Sequence, residues 1–217
     1  TMLSPGQMRA ILSNAANGTP QSATVAGNIG VMPNLRHIGQ VALGLVPDVY
    51  LRDSAGDTGA VPSGGTLSTS PDVIVRPTQV VDPTAEFGDG SGTEMSESLG
   101  FEVEAGQNNF IYVRMRNRGA AAANGVRATV YWAPASTLVT PNLWTLIGTT
   151  GPVNVPTGNV LTVAPELMWP KAGIPATGHY CFIAVLDQAA DPAPPIPGPT
   201  DWNGFLDIIK NHNNVTW

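Results

Sequence analysis

Between residues 108 and 132 the chain carries two alternating apolar runs joined by a short stretch of polar and small residues. No other feature limits its fold as tightly. Successive side chains of a strand take opposite faces, so Phe110, Tyr112 and Arg114 share one face while Ile111, Val113 and Met115 share the other. The second face is aliphatic; the first is aromatic and then charged. After Asn117, Arg118 and Gly119, a small-residue connection over 120–125 leads to Val126, Ala128, Val130 and Trp132 on one parity. This pattern predicts two strands paired as antiparallel neighbours.

Beyond Pro47, short apolar runs alternate with Gly, Pro, Asn, Asp and Ser. Strands are predicted near 49–52, 73–76, 109–116, 126–132, 144–148, 160–163 and 179–186, with a last one beginning at Val215. Hydrophobic residues make up 42% and charged ones 12%, with 24 Gly and 20 Pro, which favours a turn-rich all-β body over a disordered chain or a Lys/Glu-rich helical one. The predicted fold is mostly β, an antiparallel sandwich of Ig-like or fibronectin III-like type over 47–217. A proline-rich linker covers 191–199, and Phe205, Ile208 and Ile209 place one short helix over 204–210.

Residues 1–46 read differently. Ser4, Pro5 and Gln7 have the spacing of a helix cap, first-turn proline and capping box, followed by an apolar stripe of Met8, Ile11, Leu12 and Ala15. Asn17 and Gly18 are expected to end this helix. After a loop, Pro33 is expected to open a second one, with Leu35, Ile38, Val41 and Ala42 on its inner side. Two short helices cannot bury enough surface alone, so the segment needs a larger partner.

Asp72 to Val75 after Pro71, the strand closing on Asn117-Arg118-Gly119, then Gly178, His179 and Tyr180 leading to Asp187, and the pair Asn213 and Asn214, together resemble the CARDB-type Ig-like modules of secreted bacterial proteins. The opening segment, with Leu3, Ser4, Pro5, Gln7, Met8, Arg9 and Leu12, then Gly18, Thr19, Pro20, Gln21, Gly30 and Met32 to Arg36, is similar to the end of a subtilisin-like serine protease domain. These resemblances imply an accessory module of a secreted or cell-surface bacterial protein, with the protease's own catalytic domain as partner. They also imply that the chain begins downstream of that domain. No basic, apolar leader precedes Ser4, so any export signal is expected upstream of Thr1.

Chemistry is sparse. A subtilisin-like site needs Asp, His and a Ser in a Gly-Thr-Ser-x-Ala setting. Asp57-Thr58-Gly59 copies one piece without a His partner, and 92–96 places Glu94 where that Ser would stand. His37, His179 and His212 show no metal-ligand spacing. Cys181 lies within an apolar strand, where a thiol behaves as a small hydrophobe. Asp53, Asp57 and Asp89 are the candidate metal ligands, for calcium, because acidic loops of extracellular modules offer the oxygen donors it takes. Without calcium they are solvated loop acids, and no other cofactor is implied. Trp132, Trp144, Trp169 and Trp202 are either core residues or a sugar platform.

With ten scattered basic residues and a net charge of −6, nucleic acid is excluded as a partner. No apolar run reaches the roughly 18 residues that span a bilayer. The expected function is therefore non-catalytic: an accessory module of a subtilisin-like protease that contacts the enzyme, an extracellular protein or a glycan. The alternatives are a stand-alone adhesion or carbohydrate-binding module and a structural spacer.

Overall fold

A computed structural model describes residues 3–20, 31–43, 46–134, 140–196, 198 and 200–217. The loop anticipated after Pro20 falls on 21–30 and lies outside them.

The body is an antiparallel β-sandwich. In the first sheet, β5 (Asn109–Asn117) is central, with β3 (Val49–Tyr50) and β4 (Val73–Arg76) on one side and β9 (Thr162–Val163) and β10 (Leu167–Trp169) on the other. In the second, β6 (Ala123–Pro134) pairs with β7 (Thr145–Thr149), β8 (Val153–Val155) and β11 (Tyr180–Asp187), and β12 (Val215–Thr216) adds to β11. Ile111, Val113 and Met115 of β5 meet Val126, Ala128 and Val130 of β6 and Ala184 and Leu186 of β11 in one buried cluster. The alternation in the sequence therefore sets which face becomes core.

Each sheet also has a covered outer face. The aromatic face of β5 is closed by the excursion after β4, whose short helix α3 (Pro83–Phe87) brings Phe87 to 5.4 Å from Tyr112, ring centroid to ring centroid. The odd residues of β11, Ile183 and Val185, are covered by helix α4 (Trp202–Asn211) through Phe205, Ile208 and Ile209. Asp201 accepts from Gly204 N–H at 2.9 Å, which starts this helix two residues ahead of the predicted boundary.

β5 and β6 do not pair; each is an inner strand of a different sheet. The Asn117-Arg118-Gly119 segment is an arch rather than a hairpin. Asn117 is fully buried, its Oδ1 accepting from Asp48 N–H (3.0 Å) and Gly119 N–H (2.9 Å) while its Nδ2 donates to Ala121 O (2.8 Å). A Cβ on Gly119 would lie 2.3 Å from Val46 O, so the arch requires glycine there.

The N-terminal segment is less helical than expected. Helix α1 (Pro5–Ser13) has the predicted capping box: Ser4 Oγ accepts from Gln7 N–H (3.2 Å), and Gln7 Oε1 accepts from Ser4 N–H (2.9 Å). It ends at Ser13, ahead of the expected stop at Asn17 and Gly18. The predicted second helix does not begin at Pro33, which instead closes a hairpin of β1 (Gly18–Pro20) and β2 (Val31–Pro33). Asn34 takes the cap, its side chain accepting from His37 N–H (3.0 Å), and one α-turn, α2 (Leu35–His37), runs into a π-helical turn over Ile38–Ala42.

Candidate functional site

Three assemblies of polar side chains in the sandwich bear on function. The deepest is a buried ion triad beneath the outer face of β5. Asp72, just before β4, receives Arg52 through its Nε (3.1 Å), NH2 (2.6 Å) and backbone N–H (2.8 Å), and Arg114 Nε lies 3.2 Å from the same carboxylate. All three residues are almost wholly buried. The surplus positive charge is met by carbonyl oxygens: Glu94 O takes Arg52 (2.6 Å), and Thr93 O (3.0 Å) and Pro71 O (2.6 Å) take Arg114. Burial pulls the Arg114 guanidinium down to about 10. The 92–96 stretch that imitates a nucleophile motif is thus a lid over this triad. Glu94 points back into its own turn, where its own N–H and those of Gly90 and Gly92 hold its carboxyl below the usual range.

The second assembly contains two of the calcium candidates. Asp53 is buried, its Oδ1 accepting from Thr216 Oγ1 at 3.0 Å, so it fastens β12 to the segment after β3. The buried hydroxyl of Ser63 lies close by without completing a hydrogen bond. Burial drives the Asp53 carboxyl up to about 7, against the lowering effect of these hydroxyls. Asp57 closes a turn, accepting from Asp53 N–H (3.0 Å) and Gly59 N–H (2.9 Å). The third candidate, Asp89, is placed against Leu161, whose N–H donates to it at 3.4 Å. The structure therefore brings Asp53 and Asp57 together and leaves Asp89 apart. Among the described residues, no group of three or more His, Cys, Asp or Glu is arranged to hold a metal ion.

The third assembly floors a cleft of about 590 Å³ lined in part by His37, Asp48, Arg118, Asp191, His212 and Asn213. Its polar groups join distant parts of the chain. Asp48 Oδ1 accepts from Asn213 Nδ2 (2.8 Å), Asp191 Oδ2 accepts from Val49 N–H (2.8 Å), and Asn214 Nδ2 donates to Pro192 O (3.1 Å). Arg118 donates to Gly59 O and approaches Asp48 at 3.4 Å. These bonds serve the fold and leave little for a ligand.

The remaining sequence candidates are dispersed. Cys181 is half-buried on β11 against the α4 cluster, and His179 is exposed at the entrance of that strand. Trp132 and Trp169 pack at 5.9 Å inside the core, while Trp144 and Trp202 surround Phe205, so these four do not form a sugar platform. The triad of Arg52, Asp72 and Arg114 was not anticipated; its one trace in the sequence is an arginine on the aromatic parity of β5.

Among the described residues, no helix is long and apolar enough to cross a membrane. No family model matches the chain, and no curated protein matches it. Among solved structures, the β-D-glucoside glucohydrolase of Trichoderma reesei is similar over 84% of this chain and 24% of that one, at 11% identity and a TM-score of 0.26. A likeness at that score carries no argument about fold or activity.

Proposed function

We propose that this chain is a non-catalytic interaction module: an Ig-like accessory domain of a secreted bacterial subtilisin-like protease, with the catalytic domain of that protease as its partner. One observation carries the reading. The segment before the sandwich buries Ile38 but keeps four of its large apolar side chains in solvent, with Leu3 36%, Met8 39%, Met32 76% and Leu35 74% exposed, and α1 buries no residue. Single exposed apolar side chains also occur on the sandwich, but here they fall on a helix that buries none of its residues and on the segments beside it, an arrangement that calls for a covering body. The resemblance of the same residues to the end of a protease domain supplies one. The ionic groups inside the sandwich support the non-catalytic part, because Arg52, Asp72, Arg114, Asp53 and the half-buried Asp57 are bonded to each other, to a hydroxyl or to backbone.

The test is to read the encoding gene upstream of Thr1 and to express the longer product. Asp, His and Gly-Thr-Ser motifs upstream are expected, together with casein hydrolysis that the longer product shows and the 217-residue chain alone lacks. A signal peptide placed directly ahead of Thr1 refutes the reading. So does casein cleavage by the chain alone that a serine-directed inhibitor abolishes.

A further inference from the structure

The cleft over Asp48 has most of its polar groups engaged, whereas a second groove keeps four polar side chains free. Two hollows of about 250 and 410 Å³ share Val73, Glu97, His179, Tyr180 and Phe182, and so form one groove where β4 approaches β11. Phe101 and Trp217 add aromatic surface at its two ends. Phe101 stays exposed although the Arg76 guanidinium covers one face of its ring at 4.7 Å. Ser68, Ser98, Glu102 and His179 line the groove, are exposed, and make no side-chain hydrogen bond within the described residues. Donors and acceptors beside aromatic surface are the makings of a small-ligand site.

Two further observations narrow the ligand. Val75 O already accepts from Phe101 N–H (2.9 Å) and Val103 O from Gly178 N–H (3.2 Å). An extended peptide adding to the sheet would find these bordering carbonyls occupied, so recognition falls to side chains. The lining carries Glu97 and Glu102 and neither Lys nor Arg, and Arg76 beside Phe101 is paired with Glu86 at 3.0 Å, so the groove disfavours anions. We infer that the groove binds an uncharged oligosaccharide. The CH faces of its rings lie against Phe101, Tyr180 and Trp217, and its hydroxyls bond to Ser68, Ser98, Glu102 and His179. This deepens the interaction-module reading by giving it a ligand class, and it holds whether or not the N-terminal segment docks on a protease.

The test is an amide-resolved NMR titration of the full chain with cellotetraose, maltotetraose and N,N′,N″-triacetylchitotriose, with a sulfated oligosaccharide as the anionic arm. At least one uncharged sugar is expected to shift amides in 97–103 and 178–182 while leaving 34–37 and 211–214 in place. His179→Ala and Glu102→Gln, both at exposed positions, are expected to weaken that binding about tenfold each, the loss of one good hydrogen bond, with the unfolding midpoint unchanged. The inference is overturned if none of the three sugars binds at millimolar concentration, if neither variant alters binding, or if the sulfated oligosaccharide binds as tightly. None of these results bears on the gene-level test of the protease partner.

Discussion

Helices α1 and α4 are both short and both amphipathic, yet only one has found its surface. α4 lays Phe205, Ile208 and Ile209 on the outer face of the second sheet, whereas α1 buries nothing and is held by its capping box and contacts with the neighbouring hairpin. A stripe in sequence specifies a need for cover without specifying what covers it. In α4 the need is met by β11, whose odd residues Ile183 and Val185 present a matching face. For α1 no matching face is found among the described residues, and the proposed partner rests on that contrast.

If the sandwich is held by long-range contacts and the N-terminal segment by local ones, substitutions should separate the two. The largest effect is expected from Asp72→Ala, which leaves two buried guanidiniums without a counter-ion. It should cost about 3–5 kcal/mol in denaturant unfolding, enough to abolish folding of a marginal domain. Phe205→Ala should cost about 3–5 kcal/mol by opening a cavity beneath α4, while Met8→Ala on α1 should fall within about 0.5 kcal/mol. Equal costs at the two helices would break the comparison.

The third effect depends on pH. Asp53 titrates near 7 when folded and has an ordinary value of 3.8, so the folded state holds its proton more tightly than the unfolded state does. Its contribution is therefore fully present below about pH 4 and is lost as pH rises through about 7, with a slope of up to about 1.4 kcal/mol per pH unit. Asp53→Asn keeps an oxygen for Thr216 and should flatten this slope, as measured by unfolding midpoints from pH 4 to 8. An unchanged profile would show that Asp53 is ionised in place. The smallest effect on global stability is expected from Ser4→Ala, which should leave the global midpoint unmoved and cost about 1 kcal/mol within α1 alone, seen as faster amide exchange over residues 5–13.

Much of this architecture was legible, and what escaped did so for identifiable reasons. The capping box at Ser4 and the two faces of β5 depend on neighbours within a few residues, and both appear as expected. Strand β4 falls on its predicted residues for the same reason. Which strands pair is another matter. Parity is identical for a hairpin and for an arch between sheets, so the route past Asn117 emerges only from the distant Asp48 N–H that its side chain accepts. Strands of three residues, such as β8 and β10, are too short to show a period. Pro33 satisfies a helix start and a strand end equally well, and the pairing of Gly18 with Pro33 decides between them. At the candidate sites, the turn formed by Asp57 is of a local kind that residue type favours, because an Asp side chain readily bonds backbone N–H groups nearby. The buried triad was not legible, because Arg and Asp normally indicate solvent.

The bonds around Asp48 make the two extremities of the sandwich sequence a single mechanical unit. Asp48 holds the arch at Asn117 on one side and Asn213 on the other, and Asn213 in turn accepts from Leu51 N–H through its carbonyl at 2.9 Å. A nick or tug at the tail is therefore transmitted to the first strand rather than dissipated as local fraying. Pulling on residues 215–217 would be resisted by the whole sandwich at once.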